Sequence, residues 1–384
     1  MTTTTQTRPQ PGDSPFDVIV IGAGQSGLAI GRQLQQRGHT FLIVDAGGEV
    51  GHVWRSRWDS LTLFTAARYS GLPGLPFPGA PDRYPTKDAA AQYLRDYATT
   101  FGLPIRHNTR VTRVTRVTRD GAEFTVHTDG TTFRAARVVV ATGPFQNPVV
   151  PAIAAGIGSH IPQLHSSDYR NPGQLPDGPV LVVGAANSGA QIATELHQSR
   201  PVALASGSAT RALPQRVLGR DLFWWLTTSG LISASGQSRL GRRFRNSGEL
   251  VIGTSTRQLA RTGVTVHPRV TAADATMVTF ADSTTITPTA IVWATGYRPD
   301  YSLIDITGAI DAAGAPVHQR GVSPVPGLYF LGRPWQHTRG SALLGFVGAD
   351  AAHIAEHITA MPAAVSAAVS AAVSAAVSAA VSAA

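Results

Sequence analysis

The stretch Phe16-Asp17-Val18-Ile19-Val20-Ile21-Gly22-Ala23-Gly24-Gln25-Ser26-Gly27 is an apolar run that closes on three spaced glycines. An unbroken β-branched run of this length reads as a strand buried on both faces, the habit of a parallel sheet. Gln25 to Arg37 then carries Leu28, Ala29 and Leu34 at helical spacing, with Gly38 behind it as a stop. Thr40 to Asp45 is a second apolar strand, and Asp45 ends it 23 residues after Gly22. Together they predict one βαβ unit with a dinucleotide fingerprint. Gly22 allows the turn, Gly24 lets backbone approach a pyrophosphate, and Gly27 lets helix and strand pack closely. The helix N-terminus, with Gln25 and Ser26 in its first turn, favours the anion, and Asp45 accepts from ribose hydroxyls.

A second unit follows. Val180 to Gly184 reads as a strand, Ser188 to Gln198 as a helix and Val202 to Ser206 as the next strand, around Gly184-Ala185-Ala186-Asn187-Ser188-Gly189. Ala186 stands at the middle glycine, where its methyl group faces the phosphate approach. Ser206 stands where an NAD site shows a carboxylate, and Arg211, Arg216 and Arg220 lie beyond it. An uncharged strand end with arginines nearby suits a 2′-phosphate, hence NADPH over NADH. Ala141-Thr142-Gly143 and Ala294-Thr295-Gly296 repeat one strand-exit signal, each paired with a fingerprint.

Between the fingerprints, Thr86 to Thr100 predicts a helix. Arg110 to Arg119, Ala122 to Thr128 and Thr131 to Val140 predict a small antiparallel meander turned at Asp120-Gly121 and Asp129-Gly130. Later come strands at Met277 to Phe280, Ile291 to Ala294 and Leu328 to Gly332, then a small-residue helix from about Ala342 to Ile358. The fold class expected is α/β, two Rossmann-like dinucleotide-binding domains with the second inserted into the first. The expected boundaries are a lead-in at 1–15, the first domain at 16–150 and 301–360, the inserted domain at 151–300, and a tail at 361–384 built on an Ala-Ala-Val-Ser repeat.

The chain has 384 residues and no cysteine, which removes disulfides, thiolate metal sites and any protein dithiol relay. No metal-binding spacing appears either. Thirty-two Lys+Arg against 23 Asp+Glu give a net charge of +9, with Lys87 the only lysine. No nucleic-acid motif accompanies that charge. The N-terminus has no apolar core of a signal peptide, and the alanine-rich tail is too weakly apolar for a membrane span, so a cytoplasmic location is expected.

These residues carry a resemblance. The chain resembles the class B flavin-dependent monooxygenase group, which includes flavin-containing and Baeyer–Villiger-type enzymes. More narrowly, it is similar to bacterial flavoproteins labelled as potassium-transport or metal-resistance proteins. The likeness runs from about Phe16 to Ile358. It rests on both fingerprints, Trp54-Arg55, Trp58-Asp59-Ser60-Leu61, Tyr84-Pro85-Thr86-Lys87, Ala294-Thr295-Gly296-Tyr297-Arg298-Pro299 and Gly340-Ser341-Ala342-Leu343-Leu344-Gly345 with the residues to Gly348. It implies FAD on the first fingerprint and NADPH on the second, and it adds Trp54, Arg55, Val111, Gly332 and Leu344 to the cofactor-binding set. It implies hydride transfer from NADPH, reaction of the reduced flavin with O2, and delivery of one oxygen atom to a small organic substrate through a C4a-(hydro)peroxyflavin. Trp335, Gln336, Arg339 and Phe64 are candidate pocket residues, and a homodimer is compatible with this reading.

Two departures stand out. The group's central FxGxxxHxxx(W/Y) motif keeps His165 and Tyr169, but Ser159 and Ile161 replace its Phe and Gly. Phe64 stands where the N-oxidising branch places an Asn, which argues against amine N-oxygenation. Two other readings therefore stay open. One is an NADPH oxidase or flavin reductase, and the other is a nucleotide-binding accessory protein without turnover.

Overall fold

The computed structural model describes residues 16–117, 123–207, 211–246 and 250–361. The lead-in, the Asp120-Gly121 turn and the Ala-Ala-Val-Ser repeat lie outside the described residues.

Strand β1 (Phe16–Ile21), helix α1 (Gln25–Gln36) and β2 (Phe41–Val44) form the first βαβ unit. Ile21 lies opposite Val44 on one side and Val140 on the other, both in parallel pairing. The sheet continues through β3 (Ile105–Arg106) beyond β2 and through β6 (Thr132–Val140), β5 (Glu123–Thr128) and β4 (Val111–Val117) on the far side of β1. β5 runs antiparallel to both of its neighbours, β4 and β6. Helix α2 (Lys87–Thr100) is capped by Thr86, whose side chain accepts from Ala89 N.

The second sheet is wholly parallel. Its strands are β7 (Gln163–His165), β8 (Val180–Val183), β9 (Val202–Ala205), β10 (Thr265–His267) and β11 (Ala290–Trp293), in the spatial order β10-β9-β8-β11-β7. Helix α3 (Asn187–Leu196) crosses from β8 to β9. The chain then returns to the first sheet as β12 (Leu328–Phe330), placing Phe330 opposite Val140. β6 is thus forked. Its first half pairs with β5, and its second half pairs on the same side with β12. Helix α6 (Gly348–Ala360) packs against α1 and closes the layer.

The structure differs from the sequence reading at three places. β7 lies inside the proline-rich segment from Pro144 to Pro179, for which no strand is expected from sequence, and three residues suffice because β11 supplies the pairing. Met277–Phe280 belongs to a separate antiparallel trio with Val270–Asp274 and Thr285–Ile286. The last helix begins at Gly348, not Ala342, because Gly345 is pressed on the Tyr69 carbonyl so closely that an added Cβ would overlap it.

Candidate functional site

The two fingerprints fold into the same lock. Gly22 (φ +108°) and Gly184 (φ +109°) both turn the chain in the left-handed region that other residues resist. A Cβ on Gly22 would sit 2.6 Å from Ala141 O, and one on Gly184 would collide with Ala294 O. A Cβ on Gly27 would overlap Gly22 O, and one on Gly189 would overlap Gly184 O. Each glycine pair therefore binds a helix start to the Ala-Thr-Gly exit of a neighbouring strand. By contrast, a Cβ on Gly24 would meet nothing within 4 Å, and the same is true at Gly143 and Gly296. Those three positions look onto open space at the carboxyl ends of parallel strands, where nucleotides dock in this architecture.

The α1 N-terminus offers backbone N–H groups with no side-chain cap. Asp45 reaches back to it, accepting from Ala23 N at 2.6 Å and from Gly47 N at 2.7 Å. Each carboxylate oxygen keeps a lone pair for a hydroxyl donor. Gln25 donates to Ala342 O at 3.2 Å and accepts from Trp54 Nε1, so the closing loop is tied to the fingerprint. Ser26 is buried against Gly332, where a Cβ would strike its Oγ. Leu344 is buried, and half-buried Val111 opens β4 opposite Thr128. Arg55 turns away to pair with Glu49 at 2.8 Å, leaving its backbone carbonyl to Lys87 Nζ at 3.0 Å. This arrangement of uncapped helix start, open glycine and strand-end carboxylate fits a flavin adenine dinucleotide.

The second fingerprint fits a nucleotide less openly. Ala186 caps α3 with φ −75°, so its backbone does not require glycine. Asn187 Oδ1 accepts from Ile252 N at 2.9 Å, and Ser188 follows in the first turn. Arg211 opens the strand Arg211–Leu213. At the end of β9, the fold delivers an arginine that spacing did not reveal. Arg269 Nη2 donates to Gly207 O at 3.1 Å, beside Ser206, and its side chain is exposed. Its partner strand end is remote in sequence, so only the β9–β10 pairing brings it there.

The two strand exits are joined directly. Thr142 Oγ1 accepts from Gln146 Nε2 at 2.7 Å, and Gln146 Oε1 accepts from Asp300 N at 2.6 Å. Asn147–Pro148 pairs with Tyr297–Arg298, and Thr295 Oγ1 donates to Val149 O. What remains of the central motif braces this seam. His165 Nε2 lies 3.0 Å from Gly296 O, and Tyr169 donates to Glu195 on α3 at 2.6 Å. Burial lowers the His165 pKa from its ordinary value. Arg57 completes the seam, donating to the Tyr297 hydroxyl and lying over the Tyr297 and Phe145 rings. Lys87, the lone lysine, is buried and pairs with Asp59 at 3.0 Å, while Asp59 also accepts from Asn171 at 2.8 Å.

An excursion at 211–252 leaves the second unit and reaches the first. Helix α4 (Leu222–Thr228) carries Phe223, which is buried against Phe64 (6.1 Å, 15° between planes), Tyr69 and Phe346. Gln215 donates to Phe64 O at 3.3 Å, and the Tyr84 hydroxyl to Asp221 at 2.7 Å. Tyr69 and Phe346 also line an open cleft of about 430 Å³ with Leu72, Phe77 and Gly345, a size that suits a small organic molecule. Trp335 sits at the rim of the excursion, near Gly236, in a left-handed conformation (φ +56°) uncommon for its type. Gln336 is buried and faces Gly321 rather than the seam. Arg339 is half-buried. Among the described residues, no cluster of His, Asp and Glu could hold a metal ion, and no helix is long and apolar enough to cross a membrane.

A family profile described as pyridine nucleotide-disulphide oxidoreductase matches residues 19–212. A CzcO-like oxidoreductase of Geobacillus kaustophilus is 45% identical over 339 residues, covering 88% of this chain and 97% of its own. An indole-3-pyruvate monooxygenase of Oryza sativa subsp. japonica is 28% identical over 372 residues, covering 88% and 90%. Among solved structures, a flavin-containing monooxygenase from Stenotrophomonas maltophilia superposes with a TM-score of 0.75 at 27% identity, over 90% of this chain and 98% of that one.

Proposed function

The chain belongs to the pyridine nucleotide-disulphide oxidoreductase family and, within it, to the class B flavin-dependent monooxygenase group, and on that premise we propose that it is an NADPH- and FAD-dependent monooxygenase. Its substrate is a small organic molecule, into which one oxygen atom of O2 is inserted. Membership in a disulphide-named family brings no dithiol chemistry here, because the chain contains no cysteine. Bound FAD would supply the redox chemistry, acceptance of a hydride from NADPH and activation of O2.

The chain's own residues supply binding, orientation and exclusion of water. The α1 N-terminus and the open Gly24 hold the pyrophosphate, and Asp45 the ribose. Gly184 to Gly189 seat NADPH, with Ser206, Arg211 and Arg269 toward the 2′-phosphate. The Gln146 and Tyr297–Arg298 ties hold the two strand exits together, so they would keep two bound nucleotides in one relative orientation. The Phe64, Tyr69, Phe223 and Phe346 rings form an apolar cluster drawn from both units, a roof that would exclude water from the space beside a bound flavin. That roof is the observation that carries the reading. An electron-transfer reductase would not need it.

The test is stoichiometric. NADPH consumption and H2O2 release are measured on the FAD-loaded protein under ¹⁸O2 with a panel of ketones, sulfides, amines and aromatic oxo acids. The proposal expects one substrate that suppresses peroxide and gains one ¹⁸O. Peroxide equal to NADPH with every substrate would make it an oxidase, and no flavin reduction by NADPH would leave an accessory protein.

A further inference from the structure

The excursion that carries Phe223 also holds most of the chain's excess charge. Residues 211–246 contain seven arginines and one carboxylate, Asp221, a net six of the nine positive charges. Asp221 is buried and engaged by Tyr84. Arg216, Arg220, Arg239, Arg242, Arg243 and Arg245 are all exposed, and none has an ion-pair partner among the described residues. Helix α5 (Arg239–Asn246) alone presents four of them.

The apex of this excursion is apolar. Arg216–Val217 and Arg220–Asp221 form a two-residue hairpin whose turn is Leu218-Gly219, both at positive φ (+49° and +74°). Such a turn favours Asn-Gly, and a leucine at its first position is strained. Leu218 is nevertheless 87% exposed, so burial does not compensate the strain. Trp225, 37% exposed, lies alongside, its Nε1 donating to Val217 O at 3.0 Å. Trp224 meets Trp225 edge-on at 4.7 Å, and the Arg220 guanidinium lies 4.4 Å over the Trp224 ring. An aliphatic tip, flanking indoles and surrounding arginines are the composition of a surface that dips into a lipid interface while its cations meet headgroups. Nucleic acid would account for the arginines and indoles. It offers nothing to an aliphatic side chain held at a strained apex.

We propose that the Leu218 hairpin, with Trp224, Trp225 and the arginines of the excursion, is a docking surface for an anionic lipid bilayer, bound peripherally without any spanning segment. This does not depend on the reaction assigned above.

The experiment is co-sedimentation of the FAD-loaded full chain with vesicles of equal parts phosphatidylcholine and phosphatidylglycerol, against vesicles of phosphatidylcholine alone. Binding is expected only to the anionic vesicles and is expected to weaken with salt. Each of Arg242→Gln, Arg243→Gln and Arg245→Gln should weaken it by roughly fivefold. Leu218→Asn suits the turn, so the variant should melt no lower than the parent while losing several-fold in vesicle affinity. Brominated lipid tails should quench tryptophan emission in the parent and less in Trp225→Phe. Failure to sediment with anionic vesicles would overturn the proposal, as would unchanged binding by Leu218→Asn. It would also fall if a single-stranded oligonucleotide binds through the same arginines with no effect of Leu218→Asn. A dimer that Leu218→Asn dissociates, with no vesicle binding by either form, would assign the face to a second copy instead.

Discussion

Phe223 of the second unit's excursion stacks on Phe64 of the first unit, ring centres 6.1 Å apart and planes 15° apart. Phe223 is buried and Phe64 half-buried, so truncating them has different consequences. Phe223→Ala should lower stability by about 3–5 kcal/mol through the cavity it leaves. Phe64→Ala should keep FAD content and most of the stability while raising the fraction of NADPH that ends as peroxide. An unchanged peroxide fraction in Phe64→Ala would remove the roof from the mechanism.

Gly24 and Gly27 are close in sequence and opposite in consequence. Gly27→Ala drives a methyl group into Gly22 O and should prevent folding of the first unit. Gly24→Ala adds its methyl to open space, so the apoprotein should fold normally yet bind FAD at least about tenfold more weakly, a loss of roughly 1.4 kcal/mol. Flavin content and apoprotein melting temperature separate the two. Normal FAD affinity in Gly24→Ala would move the pyrophosphate elsewhere.

At the second fingerprint, Ala186 caps α3 in a conformation any residue adopts, and its methyl group is the feature that departs from the pattern. Ala186→Gly should lower the KM for NADPH with little change in kcat. Arg269→Ala should raise the KM for NADPH by about tenfold and leave that for NADH alone, as expected for loss of one charged phosphate contact of roughly 1–2 kcal/mol. If both cofactors respond equally, Arg269 does not read the 2′-phosphate.

His318 gives a pH signature. Burial, reinforced by Arg333, pushes it down to about 4 from an ordinary value of 6.5. The folded chain therefore resists protonation that the unfolded chain accepts between those values. Its contribution is fully present above pH 6.5 and declines as pH falls toward 4. His39, His165, His337 and His353 are lowered mainly by burial too and act with the same sign. Stability measured from pH 4 to 7 should rise with pH, and His318→Asn should reduce the slope by up to about one proton. An identical slope would show that His318 titrates normally.

The fingerprints were legible because their physics is local. Glycines at fixed offsets, a β-branched run before them and a carboxylate at the next strand end need only nearby chain to make sense. The class of the fold followed from that. Arg269 was not legible, because it reaches Gly207, next to Ser206, only through the β9–β10 pairing. The excursion was hidden for a related reason. Its strands are two or three residues long and exist by leaning on Phe64, Tyr84 and the loop at Thr338, all distant in sequence. Gln336 and Arg55 looked like site residues by position, yet their side chains turn to Gly321 and Glu49. Spacing places a residue at a site but does not aim its side chain.

The fork in β6 has a consequence for how the chain is made. Val138 to Val140 wait for Leu328–Phe330, which emerges from synthesis only after the whole second sheet. Until then the first sheet has an unfinished apolar edge, of the kind that recruits foreign strands. The nested unit can complete its own parallel sheet before its host is finished. A nascent chain halted before Leu328 should therefore hold a protease-resistant core spanning roughly β7 to β11, while its first 140 residues remain digestible and prone to aggregate.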